Sequence, residues 1–143
     1  MIKSGAHTKY DLKYHFVWRP KYRKVVLNGN IVKYTSHLVY EIAERYDFAV
    51  VELAVMQDHV YLFVSANQDD SPAKLIQIIK SITARELYKK FPGIKRQLWG
   101  GALWERGYFV MSSGMGTTNE MIQQYIKEQR PGTAANDQSN LFG

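Results

Sequence analysis

A chain of 143 residues, 45% of them apolar, is long enough for one domain with a real core. It has no cysteine, which excludes a disulfide framework and a thiolate metal site. A net charge of +6 and a pI near 9.5 favour a polyanionic partner. No apolar run approaches transmembrane length and Met1 to Lys9 lacks a signal-peptide core, so a cytoplasmic protein with no membrane partner is expected.

Tyr10 to Trp18 alternates, with Leu12, Tyr14, Phe16 and Trp18 on one face and Asp11, Lys13 and His15 on the other, the pattern of a half-buried strand. Pro20 ends it and the basic segment KYRK follows as a loop. From Lys9 to Lys24 six cations stand against Asp11 alone, a local excess of five, interleaved with Tyr10, Tyr14, Trp18 and Tyr22. Cations for phosphates and flat rings for bases suit single-stranded nucleic acid. The same stretch reads equally well as a solvated strand and loop whose rings face the core.

Asn28-Gly29-Asn30 is a turn signal opening a helix along Ile31, Leu38, Ile42 and Tyr46. Phe48 to Met56 predicts a second strand, and Gln57-Asp58 a tight connection to a third over His59 to Ser65. Ser71-Pro72 supplies an N-cap with proline at the first helical position. That helix is expected to run to about Phe91, with Leu75, Ile79, Ile82 and Leu87 inward and Lys74, Gln77, Lys80 and Lys89 turned away. Pro92-Gly93 is expected to break it, and Leu103 to Met111 reads as a fourth strand. The order β-α-β-β-α-β predicts an α+β fold: a ferredoxin-like antiparallel sheet with two helices on one face and the other face free for a ligand.

After the glycine-rich joint SSGMG, Thr117 and Glu120 form a capping box for one added C-terminal helix, which Pro131 and Gly132 stop. Tyr125 and Gln129 stand one turn apart on it, so a phenol and a carboxamide project from one face. Read alone, this is an amphipathic helix with a core tyrosine. A single domain over residues 1–130 and a polar, disordered tail over 131–143 are expected.

His59 and Tyr61 share the strand face opposite Val60, Leu62 and Val64. A histidine so placed is a candidate ligand or base, or a surface histidine without a role. The segments YHFVWRPKYRKVVL, VMQDHVYLFV, LWERGYFV and YIKEQ, in that order from about Lys9 to Gln129, resemble the single-tyrosine HUH transposases, the TnpA-type enzymes of small insertion sequences. The resemblance implies an enzyme that cuts and rejoins single-stranded DNA through a 5′-phosphotyrosine link. Tyr125 matches its nucleophile, and His59, the position of Tyr61, and Gln129 match its ligands for Mg2+ or Mn2+. It also implies a partner DNA with hairpin ends, and a homodimer in which swapped C-terminal helices are one arrangement. Candidate DNA contacts are Lys13, Arg19, Lys21, Arg23 and Lys24 in the basic stretch and Lys80 and Arg85 on the long helix.

This sequence departs from the pattern at Tyr61, where the second histidine would stand. A neutral phenol is a poorer ligand than imidazole. Three readings remain: a weakened metal site through His59, Gln129, water and DNA oxygens; entry of Asp58 as a ligand; or an inactive copy. The rivals to a transposase are a domesticated hairpin-binding relative and a non-catalytic single-strand nucleic-acid-binding module.

Overall fold

The computed structural model describes residues 12–24 and 26–112, apart from the side chain of Arg23. The joint SSGMG after its first residue, Ser112, the helix expected to carry Tyr125 and Gln129, and the tail lie outside the described residues. Strand β1 (Leu12–Trp18) leads through a 3-10 turn (Lys21–Arg23) into helix α1 (Gly29–Tyr46). Strands β2 (Ala49–Val55) and β3 (Val60–Ala66) form a hairpin, followed by α2 (Pro72–Lys90), a short α3 (Pro92–Gln97) and strand β4 (Phe109–Ser112).

The strands form one sheet in the order β2-β3-β1-β4, with every neighbouring pair antiparallel. This is the split arrangement expected from the element order. Period-two alternation sorts the faces. Phe16 and Trp18 of β1 and Val60, Leu62, Val64 and Ala66 of β3 are buried in one cluster with Leu38, Val39 and Ile42 of α1 and Leu75, Ile76, Ile79 and Leu87 of α2. The helices thus cover one face, and the apolar effect of closing it holds the layers together. On the opposite face Val17 and Phe109 are buried, with Tyr61 and Met111 packed against them.

Local chemistry sets the ends. The Ser71 hydroxyl accepts from the Lys74 N–H at 3.1 Å, capping α2. Asp47 ends α1 in the left-handed region at φ 62°. Pro92-Gly93 ends α2 as expected, and because proline fits the first turn of a helix a short α3 follows, with Ile94 and Leu98 buried. One expected boundary fails. The fourth strand does not begin at Leu103. There the backbone is spent on the loop after β1: Leu103 C=O accepts from Lys21 N–H at 2.6 Å, Glu105 N–H donates to Arg19 C=O at 2.9 Å, and Pro20 bridges Trp104. Gly107 at φ 83° then turns the chain, and pairing with β1 starts only at Phe109. Among the described residues no helix is long and apolar enough to cross a membrane.

Candidate active site

The face away from the helices carries the candidate chemistry. His59 stands just before β3, where the hairpin closes with Met56 N–H donating to His59 C=O at 2.8 Å. Its Nδ1 lies 3.0 Å from Asp58 Oδ1, and its side chain is only 15% exposed. A carboxylate at Nδ1 favours the proton there and leaves Nε2 as the nitrogen that can bind a cation or take a proton. Asp58 itself is therefore engaged as the orienting partner of His59.

Tyr61 follows two residues on along the strand, on the side that faces away from the helices. Pairing of β1 with β3 sets Val17 opposite Tyr61 and His15 opposite Phe63. His15 consequently stacks on Phe63, with centroids 4.0 Å apart and planes 5° from parallel, and its Nδ1 is 2.8 Å from the Tyr61 hydroxyl. Burial lowers the pKa of His15, against the opposing pull of the Glu52 carboxylate. Burial also raises that of Tyr61, and Glu52 adds to the rise. Two neutral rings thus share one proton-mediated contact. Neither His15 nor Glu52 stands out in the sequence; the outward position of His15 in β1 was the available signal, but its partner is 46 residues away.

The basic residues divide. Lys13 and Lys24 are exposed, and Lys21 Nζ lies 5.7 Å from the centroid of the Tyr22 ring. Arg19 is buried at 2% exposure. Arg85 is exposed and 3.2 Å from Glu86. Lys80 is not turned away from the fold: its Nζ donates to Glu105 C=O at 3.0 Å and to Gly107 C=O at 2.9 Å. It anchors the loop before β4 to α2 by donating to two backbone carbonyls there.

Comparison with known proteins decides the family. The profile of the IS200-like transposases matches residues 8–129, most of the chain. The chain belongs to the IS200-like transposase family. The ISDra2 transposase TnpA of Deinococcus radiodurans is 33% identical over 128 residues, covering 90% of this chain and 91% of that one. The transposase of insertion sequence IS200 from Salmonella typhimurium is 29% identical over 127 residues, covering 89% and 82%. A crystal structure of a Deinococcus radiodurans protein assigned as a transposase superposes with a TM-score of 0.79 at 32% identity, covering 91% of this chain and 98% of that one. A REP-associated tyrosine transposase bound to a REP hairpin shares the fold, with a TM-score of 0.54 at 12% identity over 92% of this chain and 75% of its own.

An IS200-like transposase is a DNA-cleaving, strand-transferring enzyme of insertion sequences, and a family of this kind uses a divalent metal. The residues of this chain fit that cation at one position and not at the next. His59 offers an oriented imidazole nitrogen. Tyr61 offers a neutral phenol already bonded to His15. Among the described residues no three His, Cys, Asp or Glu side chains lie together as a metal cluster.

Proposed function

We propose that this transposase cuts and rejoins single-stranded DNA at the ends of an insertion sequence, with Tyr125 as nucleophile. The observation that supports this reading is His59, whose Nδ1 lies 3.0 Å from Asp58 Oδ1 and which the resemblance of VMQDHVYLFV matches to the family's first histidine. The phenol of Tyr125 loses its proton and forms an O–P bond to the scissile phosphate. The P–O3′ bond breaks, and the departing 3′ oxygen takes a proton. Reversal by a new 3′ hydroxyl restores the phosphodiester and the free tyrosine, so no nucleotide cofactor is consumed. An unperturbed phenol has a pKa of about 10 and is a weak nucleophile near neutrality until its charge is offset. His59 and Gln129 would hold a magnesium or manganese ion, which when bound offsets charge on the phosphate. The exposed cations Lys13 and Lys24 suit the DNA backbone, and the working unit is a homodimer.

The test is incubation of the protein with labelled single-stranded DNA from the ends of its element, with manganese. A denaturation-resistant protein–DNA adduct is expected, and Tyr125→Phe should abolish it while leaving hairpin binding nearly intact. An adduct that persists in that variant, or maps to Tyr108, removes the assignment. A second reading, a hairpin-binding relative without chemistry, is favoured by the Tyr61 phenol and its bond to His15; absence of any adduct with DNA demonstrably bound would select it.

A further inference from the structure

Among the described residues three that are not glycine have positive φ: Tyr22 at 61°, Asp47 at 62° and Trp99 at 60°. Asp47 is accounted for as the end of α1. The other two are large aromatics, for which the left-handed region is a genuine outlier. Both are also open to solvent, Trp99 at 83% exposure and Tyr22 at 60%. An exposed ring gains nothing from the core, and a strained backbone under it points to a function.

Both residues lie among cations along the chain. Tyr88 to Trp104 contains Lys89, Lys90, Lys95 and Arg96 and no acidic residue. Those four are exposed. Tyr22 lies between Lys21 and Lys24 in the first basic stretch. The two turns are tied together, because Lys21 N–H donates to Leu103 C=O and Pro20 bridges Trp104. The turn that presents Trp99 is itself well held. Gly100 N–H donates to Lys95 C=O at 2.8 Å, Gly101 N–H to Leu98 C=O at 3.0 Å, and the Tyr88 hydroxyl to Gly101 C=O at 2.6 Å.

From this arrangement we infer that Trp99 and Tyr22 are stacking platforms for unpaired nucleobases, with Lys95, Arg96, Lys21 and Lys24 taking the adjacent phosphates. The site rests on the reading of the chain as a single-strand DNA transferase. Aromatic platforms beside a positive track bind single strands with little sequence preference, since every base has a π-face. A duplex keeps its bases stacked on one another and offers these rings nothing.

The test uses a labelled oligothymidylate and a blunt duplex of equal length. Trp99→Gly and Tyr22→Gly suit their positions, because glycine adopts the left-handed angle without strain and the fold keeps its turn. Each should weaken oligothymidylate binding by about tenfold and leave duplex binding as it was. Trp99→Phe should retain most of the affinity. Lys95→Ala with Arg96→Ala should reduce the salt slope by about one to two. Of the chain's three tryptophans only Trp99 is exposed, Trp18 and Trp104 being buried. Iodide quenching of its fluorescence should therefore fall when oligothymidylate binds. Unchanged affinity in both glycine variants overturns the site, as does an equal loss for duplex and single strand, or quenching that DNA does not alter. Adduct formation by the unaltered protein tests the transferase reading separately. Adduct together with indifferent glycine variants removes this site alone, whereas Trp99-dependent binding without adduct leaves the site standing and removes that reading.

Discussion

At Tyr61 one side chain decides between two kinds of site. Its hydroxyl and His15 Nδ1 satisfy each other at 2.8 Å, and burial keeps both rings toward their neutral forms. Removing the hydroxyl while leaving the ring should therefore cost a hydrogen bond and little else. Tyr61→Phe is expected to destabilise the protein by about 0.5–1.5 kcal/mol in urea denaturation, the usual net value of such a bond. Tyr61→His would set a second imidazole on the strand beside His59. Manganese should then bind more tightly by about tenfold, equivalent to about 1.4 kcal/mol, in calorimetry on the two proteins. His59→Ala should weaken binding in either background. Equal affinities throughout would mean that no cation sits on this strand.

Helix α2 and the loop before β4 are joined through Lys80, and that link carries a pH signature. Burial lowers its pKa from 10.5 to about 8, partly opposed by the Glu105 carboxylate. The folded protein thus releases this proton earlier than the unfolded chain does, so stability gained from Lys80 rises between about pH 8 and 10.5. A neutral amine keeps two hydrogens, enough for the two carbonyls it serves. Compared with Lys80→Met, the unaltered protein should gain on the order of 1–3 kcal/mol across that window, discounted for its partial exposure. Parallel stability curves for the two proteins from neutral to alkaline pH would refute the linkage. Ser71→Ala should cost about 1 kcal/mol at any pH, read by the same denaturation, because the Lys74 N–H loses its cap. The cap was legible in the sequence, as was the alternation of β1 and β3, since both are local patterns that tertiary contacts only reinforce. The inward turn of Lys80 was not. Polarity argues for an outward lysine, and only the carbonyls of Glu105 and Gly107, folded back from 25 and 27 residues away, reverse it. The late start of β4 has the same origin, because the Leu103 carbonyl is claimed by Lys21. Likewise the facing of His59 and Tyr61 follows from period two, whereas the entry of His15 needed the β1–β3 pairing.

For the whole molecule the open arrangement is which Tyr125 serves which His59. His59 precedes β3 directly, whereas Tyr125 follows the joint SSGMG, in which Gly114 and Gly116 flank Met115. Glycine permits backbone angles closed to other residues, and Met115 is the joint's one large apolar residue. Exchange of an identical element between protomers is a low-cost route to a symmetric dimer. A homodimer with shared helices would also bring two sites together for the two ends of one element. The alternative is a helix packed in cis, with the glycines serving a turn. Mixing equal amounts of Tyr125→Phe and His59→Ala proteins separates the two. With free subunit exchange about half of the dimers are mixed. In trans, each mixed dimer pairs an intact His59 with an intact Tyr125 at one of its two sites, and the other site carries both lesions. Adduct should then return to about one quarter of the level of the unaltered protein. In cis every site keeps one lesion and no adduct returns. Recovery near one quarter places the nucleophile on the partner. No recovery, with exchange confirmed by labelled subunits, places it on its own chain, and a monomer in light scattering with DNA bound removes the dimer itself.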